Sequence, residues 1–237
     1  MTELRILRRK NAEDKPYWQS FSYTTDDPNA AVSTALTELN ARTDLRDMGG
    51  EKAEPIQWEC SCLQKKCGAC AMVINGRPRL ACDSKLAELG EKVTIEPLRK
   101  FPVVADLMVD RKAMFDTLQR LKVWAEEGVT ISEGSQDDAF EAAGCLQCGC
   151  CLEVCPNFYV GGKFAGMAGG LPLARLIAQL DDSSKKEVLK AYRKGVYAGC
   201  GKSLACRDIC PAGLDIESLM VNSNRAAAWK TLLKFRK

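Results

Sequence analysis

The sequence predicts an α+β protein of two domains, a mixed domain over residues 1–104 and a mainly α-helical domain over residues 105–237. Three observations carry this prediction. Short β-rich segments fill the first part, apolar residues at helical spacing fill the second, and Phe101-Pro102 separates the two patterns. A chain of 237 residues with 46% hydrophobic residues is long enough to bury two cores.

The first domain is predicted to contain five strands, at residues 4–8, 17–24, 71–74, 80–82 and 92–98. The Asn75-Gly76 pair is a hairpin turn between the third and fourth of them. A helix is predicted to start at Asp26-Asp27-Pro28, because Val32, Leu36 and Leu39 then recur at helical spacing. One amphipathic helix therefore covers the sheet.

The second domain is predicted to be mostly helical. A helix is expected over residues 106–126, where Leu107, Phe115, Leu118 and Leu121 follow helical spacing. Further helices are expected from Pro172 to residue 180, from a Ser184-to-Glu187 capping box to a stop at Gly195, and from Asp215 onward.

Thirteen cysteines and no histidine limit the chemistry of the chain. Histidine-ligated zinc, Rieske and haem centres are excluded, and so is acid-base catalysis by histidine. The first ten residues lack an apolar signal segment, so a disulfide framework is disfavoured. No stretch approaches the roughly 20 apolar residues of a membrane-spanning helix, and a net charge of +3 gives no support to nucleic-acid binding.

The first domain carries a C-x4-C-x2-C motif followed by a fourth cysteine after a hairpin. These residues are Cys62, Cys67, Cys70 and Cys82. The spacing is that of plant-type 2Fe-2S ferredoxins, in which one tight loop supplies three thiolates. A structural zinc loop or a set of buried free thiols is the alternative. Cys60 lies outside the motif and is expected to take no part in it.

The second domain carries two cysteine runs with the C-x2-C-x2-C-x3-C-P spacing of bacterial ferredoxins. The first is complete, and the second has serine in place of its second cysteine. The runs consist of Cys145, Cys148, Cys151 and Cys155-Pro156, and of Cys200, Ser203, Cys206 and Cys210-Pro211.

In this spacing the fourth cysteine of each run ligates the other cluster. A 4Fe-4S cluster is therefore predicted at Cys145, Cys148, Cys151 and Cys210. The remaining site has three thiolates, from Cys155, Cys200 and Cys206, and is predicted to hold a 3Fe-4S cluster unless Ser203 is a ligand. Cys150 breaks the spacing and is expected to be buried as a small hydrophobic residue.

This combination of motifs resembles the iron-sulfur subunit of the succinate dehydrogenase and fumarate reductase family. The resemblance covers nearly the whole chain and rests on the residues of the three cysteine motifs and on the Asn75-Gly76 hairpin before Cys82. It implies a β-grasp plant-type ferredoxin domain followed by an α-helical bacterial-type ferredoxin domain.

The resemblance also implies partners. An FAD-containing flavoprotein subunit would interconvert succinate and fumarate, and a membrane-anchor subunit would bind quinone. This chain would be peripheral, on the cytoplasmic side of the plasma membrane, and would relay electrons without catalytic residues of its own. Family succinate dehydrogenases often have a tryptophan and a histidine where this sequence has Val160 and Gly201, which suggests menaquinone and fumarate reduction.

Other functions stay open at this point. The same three clusters would also serve a fumarate reductase or related dehydrogenase that uses thiols or another soluble donor. A free ferredoxin needs only one cluster and a strongly acidic surface, and a zinc protein would contain zinc instead of iron.

Two segments allow two interpretations each. The glycine-rich segment with Phe164, Met167, Leu171 and Leu173 is either a surface that faces the membrane anchor or a flexible surface loop. The basic residues from Arg225 to Lys237 either contact anionic lipid headgroups or form an ordinary solvated helix end.

Overall fold

The computed structural model describes residues 1–125, 130–132 and 136–229. The chain divides into two compact units, Met1–Asp110 and Arg111–Lys237. The expected boundary after residue 104 falls inside a short hairpin of the first unit, whose turn contains Asp106. The buried carboxylate of Asp106 accepts hydrogen bonds from the backbone N–H groups of Arg9 (2.8 Å) and Gln57 (2.9 Å), which fastens this hairpin to the first unit.

The first unit is built on a five-stranded mixed sheet in the order β2-β1-β5-β3-β4. Its strands are β1 (Thr2–Arg8), β2 (Tyr17–Tyr23), β3 (Ala71–Ile74), β4 (Arg77–Leu80) and β5 (Lys92–Glu96). The central strands β1 and β5 are parallel, and their alternate side chains, such as Leu4 and Ile95, are fully buried. The short hairpin is formed by β6 (Val103–Ala105) and β7 (Met108–Val109). Four of the five predicted strands are therefore confirmed in outline. The fourth, expected at residues 80–82, lies earlier at Arg77–Leu80, and Ala81–Asp83 form a 3-10 turn instead.

The long helix of the first unit is α1 (Val32–Asn40), and the short α2 (Leu86–Leu89) precedes β5. Val32, Leu36 and Leu39 are fully buried, as the periodicity predicts. The predicted start at Asp26-Asp27-Pro28 is wrong. These residues form a turn, because Asp27 accepts a hydrogen bond from the backbone N–H of Asn29 at 2.9 Å and so stabilises a local non-helical conformation.

The second unit is helical. Its helices are α3 (Lys112–Leu121), α4 (Asp137–Ala143), α5 (Cys150–Glu153), α6 (Gly166–Gln179), α7 (Lys186–Gly195) and α8 (Ile216–Asn224), followed by a π-helical turn at Arg225–Trp229. The apolar side chains of α6 lie at the centre of the core, against α7 and α8. Within the described residues, no helix combines the length and apolarity that crossing a bilayer requires.

Three predicted helix starts in the second domain are wrong, and one of them is Pro172, because α6 already begins at Gly166. The helix expected from residue 106 begins at Lys112, because residues 103–109 form the short hairpin; residue 126 lies outside the described residues. The capping box at Ser184 does not form, since Ser184 donates its backbone N–H to Asp181 (2.8 Å) and accepts a hydrogen bond from Thr130 through Oγ (3.1 Å). The stop at Gly195 and the start at Asp215 are confirmed.

The glycine-rich segment differs from both interpretations. From Gly166 onward it belongs to α6, which starts before Pro172 and includes it, and Met167, Leu171 and Leu173 are buried in the core. This part is therefore neither a flexible surface loop nor an exposed apolar face, whereas Phe164 lies before the helix and is partly exposed. Of the basic C-terminal stretch, residues 230–237 lie outside the described residues.

Candidate iron-sulfur sites

The first cysteine loop directs backbone N–H groups at its sulfurs. Cys62 Sγ accepts hydrogen bonds from the N–H groups of Gln64 and Lys66, each at 3.3 Å. Lys65 donates its N–H to Cys82 Sγ at 3.3 Å and has a positive φ of 58°. Such donors stabilise thiolates and the sulfur atoms of a bound cluster.

Hydrogen bonding and burial shift the thiol pKa values of this loop in opposite directions. The N–H groups of Gln64 and Lys66 lower the pKa of Cys62 to about 7. Burial raises the pKa of Cys70 to about 12, and its Sγ lies 3.4 Å from that of Cys82. Cys67 hydrogen-bonds Cys62, so the loop and the hairpin end bring all four predicted ligands together. Cys60, outside the motif, is exposed.

Four thiols of the second unit surround one cavity. It is lined by Cys145, Cys148, Cys151 and Cys210, together with apolar side chains that include Leu171. Burial, together with the nearby thiols of Cys148 and Cys210, raises the pKa of Cys145 to about 11, although the N–H of Gln147 acts in the opposite direction. This cavity joins three cysteines of one run to the last cysteine of the other. A low-dielectric pocket of thiols fits a cluster whose metal charge offsets the thiolate charge.

A second group of thiols lies around Cys206. Burial raises the pKa of Cys206, and the nearby thiols of Cys155 and Cys200 raise it further. Ser203, which stands where the missing cysteine would be, is exposed. Here too, the last cysteine of one run, Cys155, lies beside cysteines of the other run, Cys200 and Cys206.

The two cysteine runs have the same backbone conformation despite the serine. Gln147 and Lys202, each two residues after the first cysteine of its run, have φ values of 50° and 57°. Gly149 and Leu204, two residues later again, have φ values of 87° and 57°. Three of these four residues carry side chains in a left-handed conformation that favours glycine. Both loops therefore accept the conformational cost of the left-handed region at matching positions.

Cys150 is fully buried, as expected of a residue that does not fit the spacing. Its thiol donates a hydrogen bond to Cys148, whose pKa falls to about 7, mainly for that reason. Within the described ranges, no three or more cysteine and acidic side chains are grouped as ligands of a single metal ion. The four thiols of the second unit instead line a cavity, whereas zinc thiolates converge on one point about 2.3 Å away.

Sequence reasoning missed four residues that hold these loops. Asp106 and Asn40 hydrogen-bond the backbone at Gln57 and Ile56, just before the first cysteine loop. Asn157 donates to the carbonyl oxygen of Gly199 at 2.7 Å and so links the two runs, while Gln147 lies between two predicted ligands. Asn157 and Gln147 are polar residues beside motif cysteines, which is a usable signal, whereas nothing local marks Asp106 or Asn40.

Two family models match the chain. A 2Fe-2S iron-sulfur cluster binding domain matches residues 3–116, and a 4Fe-4S dicluster domain matches residues 141–214. The chain is 36% identical over 230 residues to the succinate dehydrogenase iron-sulfur subunit of Bacillus subtilis, covering 93% of this chain and 90% of that protein. The chain belongs to the succinate dehydrogenase and fumarate reductase iron-sulfur subunits.

Other members and a solved structure agree with this assignment. The fumarate reductase iron-sulfur subunit of Wolinella succinogenes is 29% identical over 237 residues, covering 92% of this chain and 93% of that one. A chain of the Mycobacterium smegmatis Sdh1 complex in the apo form has the same fold, with a TM-score of 0.74 at 23% identity, covering 97% of this chain and 96% of that one. The predicted fold class of two successive ferredoxin-like domains is therefore confirmed.

Proposed function

We propose that this chain relays single electrons between an FAD-containing flavoprotein subunit and a quinone pool, in a succinate dehydrogenase or fumarate reductase complex. The supporting observation is the cavity lined by Cys145, Cys148, Cys151 and Cys210, which needs thiols from both runs and suits a cluster. The described chain offers no histidine for acid-base work, so the substrate chemistry belongs to the flavoprotein partner.

The proposed ligands are those of the three motifs. A 2Fe-2S cluster binds Cys62, Cys67, Cys70 and Cys82, a 4Fe-4S cluster binds Cys145, Cys148, Cys151 and Cys210, and a 3Fe-4S cluster binds Cys155, Cys200 and Cys206. Bound clusters supply one-electron redox chemistry, while the chain supplies thiolates, N–H donors and a dry surrounding. The serine at position 203, where the spacing calls for a thiolate, supports three ligands at the last site.

Electron paramagnetic resonance and iron analysis of the intact complex test this proposal. We expect a 3Fe signal in the oxidised state, a 2Fe signal in the reduced state and about nine iron atoms per copy of this chain. A full 4Fe cluster at the Ser203 site would contradict the 3Fe-4S assignment. Zinc in place of iron would contradict electron transfer altogether.

The proposed partners are the flavoprotein subunit and a membrane-anchor subunit, with this chain held peripherally on the cytoplasmic side of the plasma membrane. Purification of the complex from solubilised membranes should yield all of these subunits together. A complex without a membrane subunit would instead favour a thiol or another soluble electron donor.

We also propose menaquinone as the quinone, on the basis of Val160 and Gly201. A Cβ atom at residue 201 would lie 3.0 Å from Asn157 Nδ2, so Asn157 fills the space that a larger residue there would need. Comparison of menaquinol and ubiquinol oxidation by the purified complex tests this proposal. A preference for ubiquinone would contradict it.

A further inference from the structure

The side chain of Gln147 lies in the loop between two proposed ligands of the 4Fe-4S cluster. Its Nε2 is 3.2 Å from Cys145 Sγ, and its backbone N–H is also directed at that sulfur. The residue has a positive φ of 50°, a conformation that a side chain adopts at a cost. Gln147 therefore offers two donors to one sulfur.

A second contact fixes the Gln147 amide. Nε2 also donates to the carbonyl oxygen of Ala168 in α6, at 3.1 Å. In a regular helix that carbonyl would accept the N–H of the residue four positions later, but this residue is Pro172, which has no N–H. The proline therefore leaves the Ala168 carbonyl available to the glutamine.

The two contacts allow one orientation of the amide. Both the sulfur and the carbonyl are acceptors, so both must face the NH2 group of Gln147. The buried Oε1 has no hydrogen-bond partner within the described part of the chain. The side chain thus directs its NH2 group, and not its carbonyl oxygen, at Cys145 and Ala168.

We propose that Gln147 is a positioning residue that raises the reduction potential of the 4Fe-4S cluster through Cys145. The inference rests on the proposed function, which makes Cys145 a ligand. Reduction adds one electron and hence one negative charge to the cluster and its thiolates. A hydrogen bond to a ligand sulfur stabilises the more negative, reduced state more than the oxidised one.

Redox titration of the intact complex, followed by electron paramagnetic resonance, tests the inference. Gln147→Met keeps the side-chain length and removes the donor, so the midpoint potential of the 4Fe-4S cluster should become more negative, with the 2Fe-2S midpoint unchanged. The matched control is Gln119→Met on the exposed surface of α3, which should shift neither midpoint. An unchanged 4Fe-4S midpoint in Gln147→Met overturns the inference.

Two further variants keep the test decisive. Gln147→Asn favours the left-handed backbone but is one methylene shorter, so it should shift the midpoint in the same direction even where the methionine variant fails to assemble. Pro172→Ala restores an N–H that competes for the Ala168 carbonyl and should give a smaller shift of the same sign. An unchanged midpoint in Pro172→Ala overturns the anchoring by Ala168.

The wild-type titration separates this inference from the proposed function. Absence of a 4Fe-4S signal in the wild-type complex would refute the cluster assignment itself. Presence of that signal, with the same midpoint in Gln147→Met and Gln147→Asn, would refute the role of Gln147 alone.

Discussion

The first cysteine loop and the cavity of the second unit hold their thiols in different ways. The chain before the first loop is fixed by buried polar groups, since Asp106 binds the N–H of Gln57 and Asn40 binds both backbone groups of Ile56. The cavity of the second unit is instead backed by apolar residues of α6, such as Leu171.

The two sites differ because their thiols differ in exposure to solvent. Cys67 of the first loop is exposed, and N–H groups stabilise the thiolate of Cys62. None of the four cavity thiols is exposed, and burial raises the pKa of Cys151 well above its ordinary value. The loop at the surface relies on polar anchors before it, whereas the cavity of the second unit adds apolar packing to the polar contacts of Asn157 and Gln147.

The largest effect is expected from loss of Cys210, the ligand that the second run supplies to the 4Fe-4S cluster. In Cys210→Ala the 4Fe-4S site keeps three thiolates, like the site beside Ser203, so the 4Fe-4S signal should disappear, a second 3Fe signal should appear and the 2Fe-2S signal should persist. Iron should fall by about one atom per chain. Cys150→Ala is the matched control, and loss of the cluster there as well would show that the spacing does not define the ligands.

The next largest effect is expected from loss of Asp106, the buried polar anchor of the first unit. Asp106→Ala leaves Arg8, whose Nε lies 2.9 Å from the Asp106 carboxylate with both side chains 4% exposed, as a buried charge without its partner. We expect a loss of about 3–5 kcal/mol in the free energy of unfolding, measured by denaturant titration of the 2Fe-2S circular dichroism.

The exposed pair of Arg46 and Asp44 gives the control for this anchor. Their side chains are more than half exposed, so Asp44→Ala should cost less than about 1 kcal/mol. Equal losses in Asp106→Ala and Asp44→Ala would contradict a special role for the buried pair.

A cavity made in the apolar core of the second unit should lower its stability and expose the 4Fe-4S site. Leu171 is 1% exposed and lines the thiol cavity, so Leu171→Ala should cost about 3 kcal/mol and admit solvent to the 4Fe-4S site. Thermal unfolding and the rate of cluster loss in air measure the two effects. Val221→Ala on the exposed side of α8 should change stability by less than about 0.5 kcal/mol, and a comparable loss there would argue against packing as the support.

The smallest effect is expected at Asn40. Asn40→Ala removes a donor to the Ile56 carbonyl (2.8 Å) and an acceptor for the Ile56 N–H (2.7 Å), which should cost about 2 kcal/mol. Denaturant titration compared with Asn11→Ala, which changes an exposed turn, measures the difference. No difference between the two variants would mean that water replaces both hydrogen bonds.

Local patterns predicted much of this molecule, and the errors have physical causes. The buried faces of α1 and of the sheet follow from side-chain periodicity, which depends on neighbours a few residues away. Pro172 was expected to begin a helix because proline favours the first turn, yet it lies inside α6. The Gln147 amide bonds the Ala168 carbonyl that the proline leaves without a helical partner, and this contact spans 21 residues of sequence.

By itself, the sequence determined which thiols exist, how they are spaced and that one position of the second run is serine, because short spacings constrain how one loop can surround a cluster. Tertiary structure alone decided that Asp106 anchors the first loop from 49 residues away, and that Asn157 joins the two runs. Such contacts depend on the meeting of distant segments, which no local pattern of residues encodes.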